Sequence, residues 1–330
     1  MSKFNPTSTN KTTNLFGHIA YKMDDKSRLM TQVLTSFFNE PKYYGDNSAE
    51  LVKTAGAVIR ADPAFVANLA VFARREFNMR SIAHVLTALL AYAEEGKPYV
   101  RSTVRGVSLR GDDITEIMAF YLTVFGKPIP SALKKGINDV LSGLNEYELA
   151  KYKGKKKGVK MRDLIILCHP APKDEAQADL WKRCIEGKLK TPETWETQLS
   201  AHGNKKSSWE RLIDDNVIGY MAALRNLRNV LQVNPDNLDK FLARLEDPAA
   251  VRKSKQLPFR FLSAYRAVRG VASSRVYDVL ENAVDASVEN LPRIPGKTVI
   301  AVDVSGSMCA YISRKSDVQY IEIGLLLGLI

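Results

Sequence analysis

The 330-residue sequence is poor in cysteine, holding Cys168, Cys184 and Cys309, an odd and widely spaced set that makes neither a zinc-ligand pattern nor a disulfide framework. A reducing, cytoplasmic setting is expected. Its four histidines, His18, His84, His169 and His202, do not fall at metal-ligand spacing. No apolar run approaches the roughly 18 residues that span a bilayer, and the final one is interrupted by Glu322. The opening MSKFNPTSTNKTTN lacks an apolar signal core, so no secretion address is read there. The turn VSGSM lacks the lysine of a phosphate-binding loop, and Asp112-Asp113 and Asp214-Asp215 are expected as helix starts and solvated ends, not as a two-metal nuclease. These absences argue against an enzyme.

What is present is a folded, basic chain. At 45% hydrophobic and 25% charged residues there is ample material for a core, and the length suggests two domains. The net charge is +12; residues 296–330 hold three basic and three acidic residues, so the whole excess belongs to residues 1–295. Such an excess favours a polyanionic partner, nucleic acid before membrane, because neutralising phosphates releases condensed counterions. It is concentrated in KYKGKKKGVKMR at 151–162, where Lys151, Lys153, Lys155, Lys156, Lys157, Lys160 and Arg162 are unopposed by any acid. Gly154 and Gly158 interrupt a helix there, which predicts a cationic loop with Tyr152 available to stack on a base. The alternative is a solvated loop that keeps the protein soluble.

Helix follows helix through the first 295 residues, with no convincing strand. Asp24 or Asp25 can cap a segment running to Phe38, and Asp62 followed by Pro63 starts a helix in which Phe65, Val66, Leu69, Phe72, Ala73 and Phe77 keep a helical period. Breaks at Asn78, Gly96, Gly111, Gly126 and Gly143 divide the next segments. Helices of three to four turns joined by short loops predict an α-solenoid of stacked pairs, although no fixed sequence period is found. Trp181, Trp195 and Trp209 sit among apolar neighbours and are expected as core anchors.

TVIAVDVSGSM, at 298–308, departs from this pattern. Val299, Ile300, Ala301 and Val302 suit a strand buried on both faces of an α/β sheet, and Asp303, Ser305 and Ser307 then fall at its carboxyl end, where open α/β sheets place ligands. One carboxylate with two hydroxyls and room for water suits Mg²⁺ or Mn²⁺ better than Zn²⁺. Asp-x-Ser-x-Ser resembles the metal-ion-dependent adhesion motif of von Willebrand factor A domains. In that family a Thr and an Asp on later loops complete the site, whereas here one strand and a helix near SDVQYIEIGLLLGLI are all that is seen. An A domain truncated after its first strand and helix is therefore expected, with weak divalent-cation binding and a sticky or poorly ordered end. Leu325, Leu326, Leu327, Leu329 and Ile330 would be half of a core.

Three further segments, KMRDLIILCHP at 160–170, TPETWETQLSAHGNKKSSWERLI at 191–213 and MAALRNLRNV at 221–230, resemble, in this order, the TROVE module of Ro RNA-binding proteins. An A domain follows that module in the family. The resemblance divides the chain into a helical RNA-binding region at 1–295 and an incomplete A domain at 296–330. It implies a mainly α fold of HEAT-like repeats, which family members close into a ring with a Rossmann-like α/β A domain as the clamp; with only the start of that domain, this chain is expected to lack the clamp. It also implies a protein that binds Y-like non-coding RNA on its outer surface and admits single-stranded 3′ ends of misfolded RNAs; a non-enzymatic monomer is expected, with an exoribonuclease as a further partner. The matched residues place the basic loop, Arg162 and His169 at the RNA-binding face.

Arg225 and Arg228, three apart in LRNLRN, project from adjacent turns and can hold phosphates. Asn226 and Asn229 are read as a buried polar ladder between repeats, and Met221, Leu224, Leu227 and Leu231 as a packing face. His169 could instead be tied to a neighbouring carbonyl at a helix end. The competing functional reading is a helical scaffold for proteins, in which basic loops meet acidic partners and Mg²⁺ at the Asp-x-Ser-x-Ser site captures a partner carboxylate.

Overall fold

A computed structural model describes residues 11–14, 16–35, 47–152, 158–291, 295–312 and 316–329, and these are predominantly helical, as the periodicity predicts. The chain divides into two compact units, Met1–Pro192 and Glu193–Ile330, each with its own apolar core.

The first unit opens with a hairpin that the sequence reading did not foresee. Strand β1 (Lys11–Thr13) pairs antiparallel with β2 (Ile19–Tyr21), Thr12 opposite Ala20. The Asn14 side chain accepts the Phe16 and His18 amide hydrogens, and Gly17 supplies the positive φ of the turn. Among the described residues ten helices follow: α1 (Asp25–Thr35), α2 (Asn47–Ala61), α3 (Pro63–Arg75), α4 (Arg80–Tyr92), α5 (Lys97–Val107), α6 (Gly111–Val124), α7 (Ser131–Leu141), α8 (Glu146–Lys151), α9 (Met161–Cys168) and α10 (Glu175–Glu186). Asp24 caps the first by accepting the Ser27 amide, and Asp62 caps α3 through Phe65 at 3.0 Å with Pro63 in the first turn.

Packing between alternate helices defines the architecture of this unit. α3 touches α5, α5 touches α7 and α7 touches α9, while α2 touches α4 and α4 touches α6. Two stacked layers of this kind are what a helical-repeat array requires, since each repeat buries its apolar face against the next. Helix α5 turns the β-branched residues Val100, Thr103, Val104 and Val107 inward. Glycines let it wedge in: a Cβ on Gly106 would lie 2.6 Å from Val71, and one on Gly136 2.9 Å from Val104. In α3 the expected core period fails at its end. Phe72 and Phe77 are exposed and meet edge to face at 5.3 Å.

The second unit contains α11 (Trp195–His202), α12 (Lys206–Asp214), α13 (Tyr220–Val233), α14 (Leu238–Glu246), α15 (Pro248–Ser254), α16 (Phe259–Ala267), α17 (Ser274–Val288) and α18 (Tyr320–Leu329). Asp247 caps α15 through the Ala249 and Ala250 amides. Trp209 and Phe261 are the largest side chains fully buried in this core, and Trp209 donates to Asn204 at 2.6 Å. Trp181 is buried in the first core and Trp195 packs on the second, so the tryptophans are anchors as expected.

The buried strand predicted at 299–302 is corrected by the structure. These residues form no strand; Val299 is 93% exposed and Ile300 59%. A strand needs a neighbour to take its backbone hydrogen bonds, and no second strand lies beside this run among the described residues. Helix α18 covers it in part instead, since a Cβ on Gly324 would lie 3.0 Å from Val302 and one on Gly328 3.3 Å. Ahead of α18, Tyr311 bridges to Gln319, and Val318 is fully buried. Leu325, Leu327 and Leu329 remain exposed. No helix among the described residues is long and apolar enough to cross a membrane.

Candidate nucleic-acid interface

The described ends of the basic segment, Lys151–Tyr152 and residues 158–162, lie at the end of α8 and the start of α9. Asn145 caps α8 by accepting the Glu148 amide at 2.9 Å, while Glu148 accepts the Asn145 amide at 3.0 Å, and this box fixes a helix of only six residues. Lys151 ends it, its ammonium 3.2 Å from the Tyr147 hydroxyl and 5.5 Å from the centre of the Tyr152 ring. Tyr152 is not the free platform predicted. Its ring packs on the first core, and the guanidinium of Arg110 lies 5.2 Å from its centre. A Cβ on Gly111 would lie 3.0 Å from Tyr152 and 3.2 Å from Met161, which is how the start of α6 reaches both neighbours. Lys153, Lys155, Lys156 and Lys157 lie outside the described residues.

Lys160 and Arg162 flank the start of α9. Asp163 accepts the Lys160 amide at 2.9 Å, and exposed Arg162 approaches the same carboxylate at 3.5 Å. His169 caps the other end, about 12 Å along an eight-residue helix. Its backbone is left-handed, with φ 50°, and its amide donates to the Ile165 carbonyl at 3.1 Å. The backbone thus makes the helix-end bond, while the imidazole is exposed and makes no hydrogen bond among the described residues. Asn138 of α7 donates to the preceding Cys168 carbonyl at 3.2 Å. The Cys168 thiol is pushed up to about 11 by burial, and the burial of Cys184 likewise raises its thiol.

Beneath this surface lies a charge cluster that the sequence reading missed. Asp113, expected as a solvated helix start, is fully buried. It does cap α6, accepting the Leu109 and Arg110 amides at 2.9 Å, but it also receives Arg74 at 3.1 Å and Arg80 at 2.6 Å, with His84 Nε2 3.1 Å away. Burial pushes its carboxyl up; hydrogen bonds from His84, Arg80 and Arg74 outweigh that and hold it well below the usual carboxylate range. The reason is distance: a buried anion needs cations, and these come from α3 and α4. One signal was available. Arg80 and His84 are four apart on a helix otherwise apolar from Ile82 to Ala91 apart from Thr87, so both require a partner on the same face.

In the second unit, Arg225 and Arg228 are both exposed on α13, three residues apart, with no ion pair among the described residues. The asparagine ladder is corrected. Asn226 donates to Ala222 of its own helix and Asn229 to Asn226, so the ladder lies within one helix and not between repeats. The packing face is Ala223, Leu224, Leu227 and Val230, with Leu231 partly buried; Met221 is exposed.

The Asp-x-Ser-x-Ser oxygens are brought together at the surface. Asp303 accepts the Ser305 amide at 2.8 Å, the main cause of its lowered carboxyl, and the Ser305 and Ser307 hydroxyls are 3.1 Å apart. Adjacent ligands of an octahedral Mg²⁺ shell, about 2.1 Å from the metal, are separated by roughly 3 Å, so the hydroxyl pair fits one edge of such a shell. Among the described residues no group of three or more His, Cys, Asp or Glu side chains stands ready to hold a metal.

A mainly helical repeat fold with a basic face defines the class. The chain belongs to the TROVE domain family, whose profile matches residues 39–187 and 181–277. It is similar to telomerase protein component 1 of Rattus norvegicus, 24% identical over 322 residues, and of Mus musculus, 25% over 325 residues; the matches take in 72% and 73% of this chain. The chain spans about 12% of the length of these relatives. In fold it is similar to the Ro (RSR) protein of Deinococcus radiodurans, with a TM-score of 0.63 and 20% identity over 87% of this chain and 68% of that one.

Proposed function

We propose that this chain is a non-enzymatic RNA-binding protein of ribonucleoprotein particles, holding RNA through the surface around α8 and α9. The observation that carries this reading is the pair Lys151 and Arg110 against the Tyr152 ring at the end of α8, with Lys160 and exposed Arg162 at the start of α9 and the exposed imidazole of His169 at its other end. Guanidinium and ammonium groups attract the phosphate backbone of any sequence, and an exposed imidazole can donate to a phosphate or stack on an unpaired base. Membership of the TROVE family supports the same reading.

At finer grain, the RNA is a small, structured, Y-like non-coding RNA together with the single-stranded 3′ ends of misfolded RNAs, and an exoribonuclease is the partner that would act on such ends. Arg225 and Arg228 supply a second set of phosphate contacts. Mg²⁺ binds weakly through Asp303, Ser305 and Ser307, where it would supply a Lewis-acidic bridge to an anionic ligand, and RNA binding proceeds without it. The test is competition between a hairpin RNA with a single-stranded 3′ tail and the same hairpin with a blunt end, both in a chelating buffer. Preference for the tailed RNA is expected; equal competition would remove the 3′-end reading, and a requirement for Mg²⁺ would remove the metal-independent one.

A further inference from the structure

Arg110 belongs to no motif, yet the geometry sets it apart from the other arginines of its cluster. Three guanidinium groups, of Arg74, Arg80 and Arg110, face two carboxylates, of Asp112 and Asp113. Asp113 is shared by Arg74 and Arg80, and Asp112 by Arg80 at 2.8 Å and Arg110 at 3.1 Å. The side chains of Arg74 and Arg80 are 8% and 30% exposed, so withdrawal from water ties them to the carboxylates. Arg110, 50% exposed, is the outermost, and the surplus positive charge of the cluster is expressed there.

Its orientation is fixed as well. Tyr152 lies under the guanidinium at 5.2 Å, and Asp112 accepts from Nη2 at 3.2 Å with its other oxygen 3.1 Å from Nε as an ion pair. That contact occupies one edge of the fork and leaves the outer Nη1–Nη2 edge without a partner among the described residues. A planar guanidinium held by one edge and one face is pre-organised to receive two oxygens on the remaining edge. Lys151 flanks the same tyrosine ring at 5.5 Å.

Building on the RNA-binding reading above, we propose that Arg110, seated on Tyr152, is a phosphate fork for the RNA backbone at the root of the basic loop. Asp112 and Tyr152 are positioning residues for it.

The experiment measures the affinity of the full chain for a fluorescein-labelled hairpin RNA with a single-stranded uridine tail across a potassium chloride series, with melting temperatures for every variant. Arg110→Gln is expected to weaken binding several-fold and to flatten the slope of log affinity against log salt by about 0.7–0.9, the contribution of one phosphate. Arg110→Lys should keep the slope and still lose affinity, because an ammonium keeps the charge without the planar fork. Asp112→Asn keeps an amide oxygen to hold the guanidinium edge while removing the competing negative charge, and should tighten binding, an outcome that a purely structural role for the cluster would not produce. A wild-type slope and affinity in Arg110→Gln, or weaker binding by Asp112→Asn at an unchanged melting temperature, would overturn the assignment while leaving RNA binding intact. Loss of binding to a glutamate-rich peptide in Arg110→Gln, with RNA affinity unchanged, would overturn it in favour of a protein partner. Absence of any salt-dependent binding by the wild-type chain would overturn the RNA reading itself.

Discussion

Arg80 donates to Asp113 at 2.6 Å across 33 residues of sequence, and the bond joins the start of α4 to the first turn of α6 inside the first core. Removing the anion leaves Arg74 without a carboxylate and Arg80 with Asp112 alone. Asp113→Ala is therefore expected to destabilise the chain by about 3–5 kcal/mol, the range for breaking a buried pair. Denaturant unfolding measures it, and a loss near zero would mean that water, not Asp113, neutralises the arginines.

The same residue sets an acid limit. The folded carboxyl titrates below its unfolded value, so its contribution is present above about pH 4 and is lost as pH falls through the folded value. Asp113→Asn cannot titrate there. Stability of the wild type should consequently fall more steeply than that of Asp113→Asn below about pH 4, and parallel curves would contradict the assignment.

On the proposed function, the lysines of the basic loop position RNA without reading it. Changing Lys155, Lys156 and Lys157 together to Ala should lower affinity for unrelated RNA sequences alike and flatten the salt dependence. Filter binding with several RNAs checks this; loss confined to one sequence would indicate base contacts instead.

His169 separates an RNA contact from a helix cap. Asn tolerates the left-handed backbone that the position demands, so His169→Asn keeps the cap and removes only the imidazole. RNA affinity should fall while the melting temperature hardly moves, as for most exposed substitutions, within about 0.5 kcal/mol. A drop in melting temperature with unchanged affinity would return His169 to a structural role.

Arg266 ties the last helix to α16, donating to the Asp317 carbonyl at 2.5 Å and pairing with Glu322, which also accepts the Gln319 amide at 2.8 Å. Arg266→Ala should accelerate amide hydrogen exchange across Tyr320–Leu329 while leaving α14 and α17 protected. Unchanged exchange in α18 would mean that Val318 and the glycine contacts hold it alone.

Features encoded locally were legible in the sequence. Asp62-Pro63 and Asp247-Pro248 start helices because cap and first-turn proline are neighbours, and the three tryptophans are core because their apolar surroundings lie within the same helices. Features built from distant partners were not. Asp113 looked like a surface cap because Arg74 and Arg80 approach from 39 and 33 residues away. Tyr152 looked free because Arg110, 42 positions earlier, could not be placed over it. The 299–302 run looked buried because its composition suits the centre of a sheet, but no second strand is paired with it among the described residues.

RNA binding through phosphate contacts is tested most directly by fluorescence anisotropy of a labelled hairpin RNA with a single-stranded 3′ tail, titrated with the full chain over a range of potassium chloride concentrations. A straight line of log affinity against log salt, with a slope corresponding to several phosphates, is the predicted result. Affinity that is absent, or that does not change with salt, would contradict it.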